Sequence, residues 1–350
     1  MIYSELRQDP ITGIWVNIAG NRSNRPDNFS MNNGKEPPPD YDSKCVLCVG
    51  NENLTPPELL AYRRDGVWWA RTVPNKFPAL SLDARIDEHH STVNEGMFVR
   101  MPAYGAHEVI VETASHSQDI HMRATDQVRE MLWMYRDRLV AHHSDKGLEN
   151  VLIFKNKGSE AGASLEHPHS QLTASPVHMQ RLDSEMQGAE RYFLGQTYSE
   201  RKGACVYCDM VNQELETRDR HGIASELNRV VSENIHYVAF LPFASQFPFE
   251  TWIVPKTHQS DYTFISPDEV TSLAIMVKDV FRKLQKALPH FDYNMVLHTT
   301  PLNNGALEYY HWHFEITPRI TKIAGFEIGS GNHINIVPPE KAAKFLNSSS

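Results

Sequence analysis

Cysteine is scarce in this chain: four thiols among 350 residues, too few for the disulfide framework of a small secreted protein. No run approaches the ~18 apolar residues that a membrane-spanning helix needs. The first residues, MIYSELRQDP, lack the basic start and apolar stretch of a secretory leader. Positive charge is in deficit. The 34 basic and 43 acidic side chains leave a net charge of -9, whereas a general binder of nucleic acid or anionic membrane carries a basic excess. These shortages predict a soluble, cytoplasmic protein with neither nucleic acid nor membrane as partner. An anionic small substrate stays compatible if a local basic pocket receives it. Apolar residues are plentiful, at 41% of the chain, which is ample for one large core or two ordinary ones.

All four cysteines fall in Cys-x-x-Cys pairs, CVLC (Cys45, Cys48) and CVYC (Cys205, Cys208). Such a pair is either redox-active or half of a tetrahedral zinc site. Histidines at matching places would favour zinc. The chain has 18 histidines, so chance neighbours are numerous and spacing has to decide.

An internal repeat supplies that spacing. NVLIFKNKGSEAGASLEHPHSQLT, from Asn150, matches NMVLHTTPLNNGALEYYHWHFEIT, from Asn294. Both open on asparagine and an apolar run, pass a glycine-bearing loop and reach His-x-His. The same offset of 144 residues relates Asn150 to Asn294, His167 to His311, His169 to His313 and Gln171 to Glu315. Upstream, AHEVIVETASHSQD resembles PFETWIVPKTHQSD, which aligns His116 with His258. Helical patterns follow both. One opens on a capping box, with Ser266 and Glu269, and has Pro267 at its first position. Its apolar positions Val270, Leu273, Val277, Phe281, Leu284 and Leu288 recur at helical spacing. The other runs from Ala124 and is expected to close at Gly147. The expectation is an α+β protein made of two tandem copies of one unit, with antiparallel sheets flanked by helices. The halves are read as 1–176 and 205–350, joined by a polar, helical or connecting segment, 177–204.

Each half therefore offers two thiols and two imidazoles: Cys45, Cys48, His116 and His167, then Cys205, Cys208, His258 and His311. That is the donor set of a closed, four-coordinate zinc site. Recurrence of all four positions predicts two Zn2+ ions per chain, over reduced cysteine pairs with unrelated histidines. On an extended segment residues i and i+2 face the same way. His169 is thus presented beside a metal-held His167 but kept free, with Pro168 stiffening the link. A neutral imidazole is a good nucleophile toward phosphorus. Gln171 can hydrogen-bond a phosphoryl oxygen without adding negative charge. The second copy has Glu315 there, which would repel a phosphate. The first half is read as the catalytic one and the second as mainly structural.

The ordered motifs resemble the galactose-1-phosphate uridylyltransferase family, a duplicated branch of the histidine-triad superfamily. The likeness runs from RQDPITGIWVNIAGNRSNRP through CVLCVGNENLTPPE, VPNKFPAL and HPHSQ to KIAGFEIGSGNHINIVPPEKAA. It implies two histidine-triad-like halves and a double displacement. His169 attacks the α-phosphorus of a nucleoside diphosphate sugar and releases sugar 1-phosphate. A sugar 1-phosphate or phosphate then takes the nucleotidyl group from the histidine. The resemblance also implies that Arg22 and Arg25 act near the phosphates at the subunit interface of a homodimer. By the same likeness Asn75, with Phe77 beside it, contacts the nucleoside, and Asn156 and Ser164 bond the phosphoryl groups. Lys322, Phe326, Glu327 and His333 match the sugar-phosphate end. Two departures are Lys76, where many relatives have aspartate, and the Cys205–Cys208 pair, where many use a carboxylate and histidines. Relatives that transfer adenylyl groups, such as plant-type ADP-glucose phosphorylase, share both. The leading expectation is uridylyl transfer from UDP-glucose to galactose 1-phosphate, and the second is adenylyl transfer from ADP-glucose to phosphate. A nucleotide hydrolase and a zinc-stabilised nucleotide-binding protein without transferase activity are the other classes. Gln171, where single-copy histidine-triad proteins end their motif in histidine, speaks against the hydrolase.

Overall fold

The computed structural model describes residues 4–21, 38–84, 92–197 and 201–348. β1 (Glu5–Gln8) and β2 (Trp15–Ile18) form an antiparallel pair. β3 (Leu60–Arg64), β4 (Val67–Pro74), the exposed hairpin of β5 (Val93–Glu95) and β6 (Phe98–Arg100), and β7 (Ala106–Val111) follow. Next come α1 (Thr125–His142), β8 (Asn150–Lys157), β9 (His169–Ser175) and α2 (Gln180–Phe193). The second half has α3 (Val206–His221), β10 (Val230–Glu233), β11 (Tyr237–Phe240) and β12 (Thr251–Pro255). It continues with α4 (Pro267–Ala287), β13 (Tyr293–His298) and β14 (His313–Pro318). α5 (Gly325–Ser330), β15 (His333–Asn335) and α6 (Pro339–Ser348) end it.

Ten strands form one sheet, in the order β3-β4-β7-β9-β8-β13-β14-β12-β11-β10. Each half contributes five strands in the same internal order, and the halves meet antiparallel along β8 and β13. Ile153 pairs with Leu297, its own counterpart at the offset of 144. The pseudo-two-fold axis of the duplication therefore passes between these two residues. The sheets expected of the two copies are thus one continuous sheet, and the join covers an edge that each half would otherwise expose.

One face of the sheet is covered by α1 and α4. Val128, Met131, Leu132, Tyr135 and Leu139 of α1 and Val270, Leu273, Val277, Phe281 and Leu284 of α4 share one core with Ile110, Ile153, Leu172, Ile253, Leu297 and Phe314. α4 starts as its sequence dictates. The Ser266 side chain accepts from the Glu269 N–H, and the Glu269 carboxylate accepts from the Ser266 N–H at 2.8 Å. α1 does not reach Gly147. It stops at His142, whose Nε2 is held 2.7 Å from Glu108, and Gly147 lies in the following turn, its N–H on Asp145.

The opposite face differs between the halves. In the second, α2 and α3 bury Leu182, Ala189, Val206, Tyr207 and Val211 against Val238, Phe240, Trp252 and Val254. In the first, a small cluster of Cys45, Leu47, Cys48, Trp68 and Val111 covers one end, while Gln171, Thr173, Phe154 and Asn156 stay partly exposed. Among the described residues no helix is long and apolar enough to cross a membrane.

Candidate active site

Strand register assembles the first thiol–imidazole set. Cys45 and Cys48 lie on one turn, closed by the Cys48 N–H on the Cys45 carbonyl. His116 follows β7 and His167 precedes β9, and β7 and β9 pair with Val111 opposite His169. The sulfur–nitrogen separations are 3.4 Å (Cys48 to His116), 3.6 Å (Cys48 to His167) and 3.8 Å (Cys45 to His167). A tetrahedral ion with bonds of about 2.3 Å to sulfur and 2.0 Å to nitrogen sets these edges at roughly 3.5 Å, so the four donors fit one. All four residues are buried. His167 donates its Nε2–H to the Thr113 carbonyl at 2.9 Å, which orients Nδ1 toward the thiols. Burial pushes His167 down to about 4, so it is the neutral imidazole that a metal needs.

The second set has the same design. Cys205 is the N-cap of α3 and Cys208 sits in its first turn. Sulfur–nitrogen separations are 3.5 Å to His258 and 3.6 to 4.0 Å to His311. His258 donates to the Leu307 carbonyl at 3.0 Å. His258 is exposed and Cys208 half-buried, so this set lies nearer the surface than the first.

His169 opens β9 and is 6% exposed. Its Nδ1 lies 2.8 Å from the His167 carbonyl. A carbonyl can only accept, so Nδ1 carries the hydrogen and Nε2 the lone pair. Burial, with the positive charge of Lys155 adding to it, keeps the ring below its ordinary pKa of 6.5 despite the His167 bond. His169 is thus a neutral imidazole with a defined nucleophilic nitrogen. Beneath its strand the buried Glu112 carboxylate binds Arg123 and Lys155, each at 2.8 Å, and Ser170 and Tyr135. Lys155 also reaches the His169 carbonyl at 3.4 Å.

Three predicted polar residues share the outer face with His169. Phe154 pairs with Gln171, which puts Asn156 beside His169. The Gln171 Oε1 lies 2.8 Å from His107 Nε2, and the Asn156 Oδ1 accepts from Asn294 at 2.7 Å. Asn75 follows β4, donates its N–H to the His107 carbonyl at 2.8 Å and accepts from the Phe77 N–H at 2.9 Å. The Phe77 ring is 83% exposed, and Ser164 is exposed on the loop before His167. Arg22 and Arg25 lie outside the described residues. Phe326 and His333, with Leu6, Trp15, Asn17 and Asn332, line a cavity of about 330 Å³. Glu327 accepts from the Ala324 N–H at 3.0 Å. Lys322 lies 3.3 Å from Glu160, on the loop that leads to Ser164.

The second copy keeps the geometry but closes it. His313 Nδ1 bonds the His311 carbonyl at 3.1 Å, as His169 bonds that of His167. Its ring is wholly buried, stacked 4.8 Å from Trp252. Glu315 receives Arg181 of α2 on both oxygens at 2.7 Å, and Glu185 of α2 holds His298 at 2.8 Å. Glu185, His298, His313 and Glu315 cluster tightly enough to hold an ion, and the Arg181 guanidinium already supplies positive charge there. α2 thus fills the face that the first half leaves open. Sequence reading missed Arg181 and Glu185, as well as His107 and Asn294. All four act across strands or from a neighbouring helix; Asn294 stands at the head of the second repeat segment, but nothing in the repeat marks it as a partner of Asn156.

The fold and site define a class of protein with a duplicated α+β sheet and a buried thiol–imidazole cluster beside an oriented histidine. Family models for the N-terminal and C-terminal domains of galactose-1-phosphate uridyl transferase match residues 1–178 and 186–348. The chain belongs to the galactose-1-phosphate uridylyltransferase family. It is 34% identical to ADP-glucose phosphorylase of Arabidopsis thaliana over 98% of this chain and 92% of that protein. It is 28% identical to galactose-1-phosphate uridylyltransferase of Thermotoga maritima, over 98% and 97%. The crystal structure of the Arabidopsis ADP-glucose phosphorylase with bound ADP-glucose matches at a TM-score of 0.81 and 30% identity, covering 99% of this chain and all of that one.

Proposed function

We propose that the protein is a nucleotidylyltransferase working through a covalent nucleotidyl-histidine on His169. The observation that carries this reading is the Nδ1–H bond to the His167 carbonyl, which leaves Nε2 as the attacking atom. Nε2 forms a bond to the α-phosphorus of a nucleoside diphosphate sugar. The bond from that phosphorus to the bridging oxygen breaks, and sugar 1-phosphate leaves with the electron pair. The Nδ1–H stays on the carbonyl, which eases the positive charge on the substituted ring. A phosphate oxygen of the acceptor then attacks the same phosphorus and returns the lone pair to Nε2. The amides of Gln171 and Asn156 stabilise the charge on the phosphoryl oxygens.

The donor and acceptor proposed first are UDP-glucose and galactose 1-phosphate, as the family name indicates. A second reading, adenylyl transfer from ADP-glucose to phosphate, is favoured by the higher identity to the Arabidopsis enzyme and by Lys76 and the Cys205–Cys208 pair. Zinc is proposed at both thiol–imidazole sets, where it would contribute folding energy. The proposal extends to a homodimer acting in the cytoplasm. Within it, the unit 1–176 carries the chemistry, 177–204 connects, and 205–350 is structural and binds sugar phosphate through Lys322, Phe326, Glu327 and His333. Arg22 and Arg25 complete the phosphate site.

Intact-protein mass spectrometry after incubation with UDP-glucose or ADP-glucose, without acceptor, tests the reading. The expected result is a gain of one nucleoside monophosphate with one donor, absent in His169→Ala. No gain with either donor overturns it.

A further inference from the structure

Three side chains around His169 end in an amide, and an amide can present either an acceptor or a donor to a ligand. What sets this choice is legible in the structure. The Ala79 main-chain N–H lies 3.0 Å from His107 Nδ1. A main-chain N–H can only donate, so Nδ1 accepts and the ring hydrogen sits on Nε2. Nε2 thus donates to Gln171 Oε1, 2.8 Å away. The Gln171 oxygen is thereby tied back and its NH2 group faces the open side. The amide nitrogen of Asn75 is 3.1 Å from the same Nε2, but both atoms are donors in this arrangement. Asn75 Oδ1 is already held by the Phe77 N–H, so the Asn75 NH2 hydrogens are not taken by the ring.

Asn156 is oriented in the same way from the other half of the chain. The Asn294 side chain lies 3.0 Å from the Ala161 carbonyl, which only accepts, so the atom there is the amide nitrogen. That nitrogen also donates to Asn156 Oδ1 at 2.7 Å. The Asn156 oxygen is tied back and its NH2 is turned outward. Two amides therefore face the ligand as donors, each fixed by a main-chain group through one intermediate side chain.

We propose that His107 and Asn294 are positioning residues that set the hydrogen-bond polarity of Gln171 and Asn156, making the site beside His169 a receptor for anionic phosphoryl oxygens. The inference rests on the nucleotidyl-transfer reading. It also assigns the second half a part in the chemistry of the first, because Asn294 of β13 pairs with Asn156 across the join.

The test separates the two bonds that His107 makes. His107→Asn keeps an acceptor near Ala79 but cannot reach Gln171. His107→Gln carries an amide nitrogen out to the Nε2 position. The rate of adduct formation on His169 is measured by rapid quench and mass spectrometry, with thermal melting as the control for folding. His107→Asn is expected to lose about 10- to 100-fold, the usual range for an orienting partner, and His107→Gln to recover most of it. In a Gln171→Leu background His107→Asn should have no further effect, as required if it acts through that amide. Asn294→Leu should slow the adduct comparably. Equal losses in His107→Asn and His107→Gln, or full additivity with Gln171→Leu, overturn the positioning role. Wild-type protein that forms no adduct with either donor overturns the transferase reading itself, whereas a normal adduct undiminished in His107→Asn overturns this inference alone.

Discussion

Replacing Glu315 by glutamine probes what became of the second copy. The Glu315 carboxylate is 5% exposed, with both oxygens 2.7 Å from Arg181 and the His298 and His313 rings at 3.7 Å. Removing one partner of a buried ion pair costs about 3–5 kcal/mol. Arg181 keeps Glu185 at 3.2 Å, and half of its side chain reaches water, so the lower end, about 3 kcal/mol, applies here. With an unfolding entropy of about 2.1 cal/mol/K per residue, 3 kcal/mol lowers the melting temperature of a chain this long by roughly 4 °C. Glu250 should respond too: burial and the charge of Glu315 push it up to about 7, and the substitution lets it fall. β9 and β14 are separated by β8 and β13, about 14 Å at the usual strand spacing, beyond the range at which substitutions normally couple. Adduct formation per folded molecule should therefore be unchanged. Calorimetry with the mass-spectrometric rate checks both halves of this statement. A melting point equal to wild type refutes the buried-pair argument, and a large loss of rate refutes the division of labour between the copies.

In zinc-loaded protein His167→Ala should lower both the metal content and the melting temperature, whereas His169→Ala should do neither; metal analysis of the two variants decides. Burial would raise the Glu112 carboxyl, but Lys155 and Arg123 outweigh it and hold it at about 2. A carboxyl held below its ordinary 4.5 stabilises the fold above that pH, by about 3 kcal/mol here, and loses this as pH falls toward 2. In urea titrations Glu112→Gln should therefore be destabilised at pH 7 with the gap narrowing toward pH 3, and a pH-independent gap would contradict the charge assignment. Gly188 lies in α2, where an added Cβ would stand 1.8 Å from the Ile11 carbonyl. Gly188→Ala should lower stability despite the better helix propensity of alanine, and a stabilised variant would mean that α2 does not press on the N-terminal segment.

Much of the fold is written locally. The α4 capping box, the helical spacing of its apolar face and the 144-residue repeat are properties of neighbouring residues, and the structure follows them. The gathering of the four donors within each thiol–imidazole set is legible too, because recurrence in two copies removes the ambiguity of a single one. The merger of the two sheets has no local sign. It depends on β8 and β13 each needing a partner, which is settled only when two strands far apart in sequence meet.

The sequence by itself determined the two thiol–imidazole donor sets, the place of His169 beside one of them, and a second copy in which Glu315 stands where the first has Gln171. Only the tertiary structure decided that α2 seals that copy with Arg181 and Glu185, and that His107 and Asn294 turn two amides into donors. The physical reason is that a hydrogen bond has a direction, set by whichever main-chain group lies at its far end. That group belongs to another strand or loop, so no stretch of sequence can specify it.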